Sequence, residues 1–191
     1  VCHGLEAYGN EDQKQKYLVP LATGTKLGAF CLSEPEAGSD ATSQSTMAID
    51  NGDHYILNGT KNWITNGGHA DYYIIIAQTD IEKGHKGINA FIVEREWEGF
   101  IVGAKENKLG IRASDTHTLM FQDVKIPKEN RIGEDGFGFK FAMKVLEGGR
   151  IGIASQALGI AQGAYELALQ YSKERKAFGK EISKHQAIQF K

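Results

Sequence analysis

Three Asn-Gly pairs between residues 51 and 67 constrain the fold of this chain more than any other sequence feature. They are Asn51-Gly52, Asn58-Gly59 and Asn66-Gly67. Asn-Gly readily adopts the positive-φ backbone that a tight hairpin requires. The pairs lie among short runs rich in β-branched and aromatic residues, such as Tyr72–Ala77 and Thr118–Val124. The pattern predicts antiparallel meanders in an all-β region of roughly 100 residues.

Helical patterns lie on both sides of this β region. Residues 11–23 form a short charged pattern that we expect to end near Gly24. A second pattern begins near Phe139, is expected to break at Gly148-Gly149, and continues to about Arg175 with apolar residues alternately four and three positions apart. This spacing places the apolar residues on one face of the helix, which is typical of a helix packed in a bundle.

These patterns predict an α+β multidomain chain. An antiparallel β sandwich or barrel occupies residues 25–130 in this prediction. The end of an N-terminal helical domain precedes it at 1–24, and the first part of a C-terminal helical bundle follows at 131–191. The chain begins without Met and stops inside a helical pattern, so we expect both helical domains to be incomplete.

Charge and composition exclude several classes of function. The chain has 22 Lys and Arg against 24 Asp and Glu, a net charge of −2, which gives no reason to expect a nucleic-acid partner. Its two cysteines include no CxxC, and the histidines show no ligand spacing, so no metal site is expected. No apolar run approaches the ~18 residues of a membrane span. The GxSxG, GxxxxGK[ST] and GxGxxG motifs are absent as well.

One loop is a candidate ligand site by composition alone. A predicted strand ends at Ser33, and Pro35 and Gly38 follow in a loop rich in hydroxyl and backbone N–H groups. Such a loop can receive a phosphate or the edge of a planar heterocycle, although an ordinary turn has the same composition. An aromatic residue beside a hydroxyl residue, as at Trp63 to Thr65, is also typical of a strand with one face in the core. The basic residues Arg175, Lys176 and His185 are also typical of a solvated helix end.

Six segments together resemble the acyl-CoA dehydrogenase family, in the family's order and spacing. They are CLSEPEAGSDATS (Cys31–Ser43), NGTKNWITNGG (Asn58–Gly68), KLGIRAS (Lys108–Ser114), DVKIPKENRIGEDGFGFK (Asp123–Lys140), GRIGIASQALGIAQGA (Gly149–Ala164) and ERKAFGKEISKHQAIQF (Glu174–Phe190). The resemblance covers essentially the whole chain. The stretch from Arg150 to Gln162 is most similar to the short-chain, butyryl-CoA branch.

The resemblance implies a three-domain fold and a flavin reaction. Family members have an N-terminal helical domain, a middle β domain and a C-terminal four-helix bundle, with FAD between the last two. The implied reaction is α,β-dehydrogenation of a short-chain acyl-CoA in fatty acid β-oxidation or butyrate metabolism. A glutamate removes the α proton while the β hydride moves to flavin N5, and electron-transfer flavoprotein receives the electrons.

The same resemblance assigns residues to the flavin. Leu32 and Ser33 meet the pyrimidine end of the ring, Trp63 packs against the ring, and the Thr65 hydroxyl bonds near N5. A second group reaches the FAD of a neighbouring subunit, which implies a homo-oligomer, expected to be a tetramer built as a dimer of dimers. The full cofactor-binding set is Phe30, Leu32, Ser33, Gly38, Ser39, Trp63, Ile64 and Thr65, with Arg175, Phe178, His185 and Gln186 in the second group.

The substrate residues implied by the resemblance are Ser39, Glu147 and Arg150, which contact the CoA part. Glu147 stands where the family has Asp, a mild departure from the family's pattern. One of the family's two positions for the catalytic base is Gly149, which has no side chain; Glu147 is two residues and about 200° away on a helix. The other position lies beyond residue 191. We therefore expect no catalytic residue in this chain and no activity from it alone.

Two alternatives stay open. In the first, the parent protein is an oxidase-like relative that passes electrons to oxygen. In the second, this chain by itself is a non-catalytic module that binds FAD and acyl-CoA. The expected compartment is the cytoplasm if the protein is bacterial, or the mitochondrial matrix if it is eukaryotic. The length of the acyl chain depends on a pocket that other residues help to form.

Overall fold

A mixed seven-stranded sheet organises the first part of the chain. The computed structural model describes residues 1–191, which divide into one unit at 1–145 and another at 146–191. In the first unit the strands run in the order β1-β4-β2-β3-β7-β6, and β5 pairs with β4. They are β1 (Gly28–Cys31), β2 (Met47–Asp50), β3 (His54–Thr65), β4 (Tyr72–Gln78), β5 (Ile88–Glu94), β6 (Phe100–Lys105) and β7 (Thr116–Pro127).

The α+β class is confirmed, and the sheet adds a feature that the turn pattern did not predict. Most neighbours are antiparallel, including β3 with β7 and β4 with β5. However, β1 pairs with β4 in parallel, and β2 meets β4 in parallel at its first residue. Because β5 pairs with the whole of β4 along one edge, β1 and the start of β2 lie one after the other along its opposite edge. The loop between β1 and β2 therefore leaves this edge of β4 and returns to it. This loop contains most of the predicted flavin segment.

Two of the three Asn-Gly pairs form turns, and the third prediction is wrong. Asn51 closes the hairpin between β2 and β3 by donating its N–H to the carbonyl of His54 over 2.9 Å. Asn66 follows β3 directly with φ 62°. Gly59 instead lies inside β3, where an added Cβ would come 2.5 Å from the Thr46 hydroxyl. The glycine is needed there for a close approach between strands and not for a turn.

The core of the first unit is apolar and comes from every strand except β6, whose residues pack against its edge. Phe91 is fully buried and makes an edge contact with Tyr55, with ring centroids 4.9 Å apart. The central cluster is Ala29, Cys31, Ala48, Tyr55, Leu57, Ile64, Ala70, Tyr73, Ile75, Ala77, Phe91, Val93, Leu119, Phe121, Val124 and Ile126.

The N-terminal helices of the first unit are attached to the sheet through polar contacts. They comprise α1 (Cys2–Tyr8), α2 (Glu11–Gln13), a π-helical segment (Lys14–Leu18) and α3 (Val19–Ala22). The Gln13 amide closes a capping box with Asn10 and also donates to the carbonyls of Glu129 and Arg131, over 2.7 and 2.9 Å. One side chain therefore caps a helix and connects it to the segment after β7.

The long helix α4 (Gly138–Glu174) is continuous. The expected interruption at Gly148-Gly149 is wrong, because glycine in a helix interior costs only about 1 kcal/mol relative to alanine and does not break the backbone pattern. After α4 come a small hairpin of β8 (Lys176–Ala177) and β9 (Lys180–Glu181), a 3₁₀ turn (Ile182–Lys184) and α5 (Gln186–Gln189). No helix combines the length and apolarity that crossing a bilayer requires.

We predict that Phe91→Ala destabilises the first unit by about 3–5 kcal/mol, because it leaves a cavity and removes the ring contact with Tyr55. Urea denaturation followed by tryptophan fluorescence measures the change. Ile81→Ala is the control, since that side chain is 68% exposed and should change stability by less than about 0.5 kcal/mol. Equal effects of the two substitutions would contradict this account of the core.

Candidate functional site

A β-bulge in β3 determines which of its side chains face outward. Lys61 pairs with Leu119 and Ile64 pairs with His117, so two residues of β3 oppose one residue of β7 between them. The extra residue reverses the alternation of the strand. Lys61 and Ile64 are therefore both buried, whereas Trp63 is 58% exposed. The next outward position is occupied by Thr65, which is also exposed.

The backbone of Trp63 is held in an unfavourable conformation. Its φ is 58°, in the left-handed region that a bulky residue rarely enters. Such a conformation costs of the order of 1–3 kcal/mol and persists where the surrounding structure enforces it, often at a ligand site. The result is a large, mostly exposed indole beside an exposed hydroxyl group.

The loop between β1 and β2 is fixed against this bulge. The Asn62 N–H donates to the carbonyl of Ser33 over 2.9 Å. The Lys61 ammonium donates to the adjacent carbonyl, that of Leu32, over 3.0 Å. The structure therefore brings together the two segments, 30–39 and 63–65, that sequence analysis assigned to one ligand.

A buried ion pair lies beneath this contact. Lys61 and Glu34 are both fully buried, with Nζ and Oε1 2.6 Å apart. Burial alone would raise the pKa of Glu34, but Lys61 and the donors from Ser45 outweigh it and hold that pKa below its ordinary value. Cys31, the last residue of β1, is also fully buried, and burial raises the pKa of its thiol.

The turn after β3 is stabilised by Asp115. Its Oδ2 accepts the Gly68 N–H over 2.8 Å and lies 3.4 Å from His69 Nδ1 and 3.6 Å from His117 Nε2. Burial alone would raise the pKa of Asp115, but the Gly68 hydrogen bond and the two imidazoles hold it below its ordinary value. This turn follows Thr65 directly, so Asp115 helps to fix the end of the exposed segment.

The remaining predicted residues of the first unit differ in what they can offer a ligand. Gly38 and Ser39 are exposed, and a Cβ added at Gly38 would meet nothing within 4 Å. Phe30 is half-buried, with its ring 6.5 Å from that of Phe141. The Ile64 side chain is 2% exposed and belongs to the core, so only its backbone is available.

The second unit contains the other predicted residues. Glu147 and Arg150 lie on α4 and are exposed. Phe178 is 98% exposed with φ 51°, at the tip of the β8–β9 hairpin. The ring of His185 lies 6.1 Å from that of Phe178, and its Nε2 is 3.2 Å from the Ala177 carbonyl. Arg175 and Gln186 lie on either side of this hairpin.

Sequence analysis missed three residues that support the site, namely Lys61, Glu34 and Gln44. One signal was available for Lys61. In the alternation of β3 it follows Tyr55 and Leu57 on the inward face, and a lysine at an inward position needs a buried anion. Nothing in the local pattern identifies Glu34 as that anion.

The fold and the surface around the bulge define an α+β protein whose sheet presents an aromatic and a hydroxyl side chain beside a fixed loop. Comparison with known families makes this more specific. Residues 29–124 match the family model described as "Acyl-CoA dehydrogenase, middle domain". Residues 136–191 match the one described as "Acyl-CoA dehydrogenase, C-terminal domain". The chain belongs to the acyl-CoA dehydrogenase family.

Relatives from bacteria are close in sequence and structure. The short-chain specific acyl-CoA dehydrogenase of Clostridium acetobutylicum is 56% identical over 184 residues, 96% of this chain and 48% of that protein. The structure of butyryl-CoA dehydrogenase from Megasphaera elsdenii matches with a TM-score of 0.95 and 56% identity over 99% of this chain and 50% of that one. An acyl-CoA dehydrogenase complexed with FAD from Bacillus anthracis matches with a TM-score of 0.88 and 43% identity, over 95% of this chain and 31% of that one. The chain spans about half the length of the curated relatives it matches.

We predict that Asp115→Asn destabilises the first unit at pH 7 by about 1–3 kcal/mol, through the loss of charged hydrogen bonds. Because the folded pKa of Asp115 is lowered, its ionised form stabilises the fold above about pH 4, and this contribution is lost as the pH falls further. The difference between wild type and variant should therefore shrink between pH 7 and about pH 3. Urea denaturation across this range measures it.

Glu98→Gln is the control for this pH series, since Glu98 is exposed and belongs to no ion pair. Its effect should be small at every pH. A wild-type advantage over Asp115→Asn that stays constant down to the lowest pH would show that the charge of Asp115 has no part in the effect.

Proposed function

We propose that this chain forms the flavin wall, and part of the substrate wall, of an FAD-dependent short-chain acyl-CoA dehydrogenase. One observation carries the proposal: the hydrogen bond from Asn62 N–H to the Ser33 carbonyl, 2.9 Å long. It places the loop after β1 next to the bulge that presents Trp63. The similarity to short-chain and butyryl-CoA dehydrogenases supports the choice of substrate.

The residues present fit FAD. A planar isoalloxazine needs a flat apolar surface on one side and hydrogen-bond donors at its edge. The exposed Trp63 indole, held outward at a strained φ, supplies the surface. The exposed Thr65 hydroxyl supplies a donor on the same side of the strand, and the related structure from Bacillus anthracis contains FAD.

Five residues of the first unit have a defined task in this proposal. Trp63 packs against the flavin ring, and Thr65 donates its hydroxyl near N5. Leu32 and Ser33 orient the ring through backbone and hydroxyl groups, and Ser39 contacts the CoA part of the substrate. When bound, the flavin supplies the acceptor for the β hydride. A donor already placed where charge develops stabilises the transition state without reorganisation.

The second unit supplies substrate contacts and contacts to a neighbouring copy. Glu147 and Arg150 contact the CoA moiety from α4. The exposed hairpin tip, with Phe178 and His185, would reach the FAD of a second subunit in a homotetramer, together with Arg175 and Gln186. The base that removes the α proton is expected outside residues 1–191, because Gly149 has no side chain.

The proposal includes electron-transfer flavoprotein as the electron acceptor, in the bacterial cytoplasm or the mitochondrial matrix. A second candidate is an oxidase-like enzyme that reduces oxygen. Hydrogen peroxide formed during turnover without electron-transfer flavoprotein would favour it. The third candidate is a chain that binds FAD and acyl-CoA without catalysis. Turnover by residues 1–191 alone would show that the catalytic base does not lie outside them.

The direct test uses the protein expressed from its full-length gene. The purified protein should be yellow, and its flavin absorbance should bleach when butyryl-CoA is added without oxygen. A folded preparation with no flavin, which also takes up none when FAD is supplied, would contradict the proposal. Bleaching by long-chain but not by butyryl thioesters would contradict the short-chain assignment alone.

We predict that Thr65→Val slows reduction of the flavin by butyryl-CoA about 100-fold, the size of effect that follows loss of one preorganised donor. Stopped-flow absorbance measures the rate, and FAD content shows whether binding is kept. Thr60→Val is the matched control: Thr60 lies on the same strand before the bulge, is half-buried, and should leave the rate near wild type. An unchanged rate in Thr65→Val would remove this residue from the mechanism.

A further inference from the structure

Three parts of the first unit converge on one buried ammonium. The Lys61 Nζ donates to the Leu32 carbonyl over 3.0 Å, to Glu34 Oε1 over 2.6 Å and to Gln44 Oε1 over 2.5 Å. An ammonium has three donors, so each one has an acceptor. Lys61, Glu34 and Gln44 are respectively 0%, 0% and 6% exposed, and we refer to these three residues as the Lys61 cluster.

The second carboxylate oxygen of Glu34 binds the other end of the same loop. Oε2 accepts the Ser45 N–H over 2.6 Å, the Ser45 hydroxyl over 2.7 Å and the Thr46 N–H over 3.2 Å. Glu34 therefore connects the start of the loop after β1 to the start of β2. Lys61 connects both to β3, two residues before Trp63.

We propose that the Lys61 cluster consists of positioning residues for the flavin, which hold the loop 32–45 in register with the outward face of the bulge. This inference rests on the proposed function. It adds that the relative placement of the two flavin segments is set by buried charges, not by contact with the flavin alone.

Consecutive hydrogen bonds make this placement specific. Lys61 fixes the carbonyl of Leu32, and the N–H of Asn62 fixes the carbonyl of Ser33. Two neighbouring peptide groups of the loop are thereby held by two neighbouring residues of the strand. Their orientation sets where Leu32 and Ser33 present polar groups to a ligand.

The chemistry of the cluster favours a role in placement over a role in stability. An apolar pair of similar volume in the same space is often as stable as a buried ion pair, or more stable. Apolar side chains at these two positions cannot hold the Leu32 carbonyl, the Gln44 amide oxygen and the N–H groups of Ser45 and Thr46 at fixed positions. Removing one charge alone leaves the other unpaired in the core, which disturbs both loop and fold.

The test uses the protein expressed from its full-length gene and the double variant Lys61→Met, Glu34→Met. Stripping and restoring FAD gives the dissociation constant of the flavin, visible circular dichroism reports the asymmetry of its environment, and the melting temperature of the apoprotein reports the fold. We expect a near wild-type melting temperature, FAD binding weakened about tenfold, and an altered dichroism spectrum. A double variant with the FAD affinity, the dichroism spectrum and the melting temperature of the wild type would overturn the inference.

Gln44→Leu keeps the ion pair and provides a second, milder variant in case the double variant does not fold. It removes one acceptor from Lys61 and the amide that donates to the Ala41 carbonyl. We expect a modestly lower melting temperature, because one donor of the buried ammonium loses its acceptor, with FAD bound a few-fold more weakly and a shifted dichroism spectrum. FAD affinity and spectrum equal to those of the wild type would overturn the inference.

Asn130→Ala is the control for a loss of stability that does not involve the flavin segments. Asn130 is buried and donates to the Tyr17 hydroxyl and the Ile92 carbonyl, over 2.9 and 2.8 Å. Its removal should lower the melting temperature. At temperatures where the variant is still folded, its FAD affinity should equal that of the wild type. Equal weakening of FAD binding in this control would show that affinity only follows stability. Failure of the wild type to bind FAD would instead contradict the proposed function.

Discussion

The extra residue in β3 is the constraint on which the candidate site depends. Without it the strand would keep its alternation, and Trp63 and Thr65 would point inward with Lys61. The bulge lets one strand contribute a lysine to the interior and, two residues later, an indole to the surface. The left-handed backbone of Trp63 is the local cost of this arrangement. The sheet enforces this backbone conformation, because β3 pairs with β7 both before and after the bulge.

The loop after β1 depends on that strand in turn. It leaves β1, which is parallel to β4, and returns to β2 further along the same edge of β4. A connection of this kind has no hairpin to fix its shape. Its two ends are joined instead by Glu34, and the charge of that carboxylate is balanced by Lys61. Sheet topology, bulge and ion pair thus form one connected arrangement.

The sequence predicted the class of the fold and singled out segments 30–39 and 63–65, which we propose bind the flavin, but it did not predict how the two segments are joined. Asn51-Gly52 and Asn66-Gly67 were recognised because turn preference is local. Asn58-Gly59 was misread because the reason for its glycine, the approach of Thr46, comes from another strand. The strands β2 and β6 were not predicted. The partnership of Glu34 with Lys61 depends on a bulge and on a long loop between two separate strands, which no short window of residues reveals.

The burial of Cys31 makes this edge of the sheet observable from outside. The thiol is fully buried, carries a raised pKa, and immediately precedes Leu32. A buried neutral thiol reacts with an alkylating reagent only when its surroundings open. Cys2, the only other cysteine, is exposed, so the two thiols differ sharply in access. The rate at which Cys31 is alkylated therefore measures how often β1 and the loop after it separate from the folded protein, without an engineered probe.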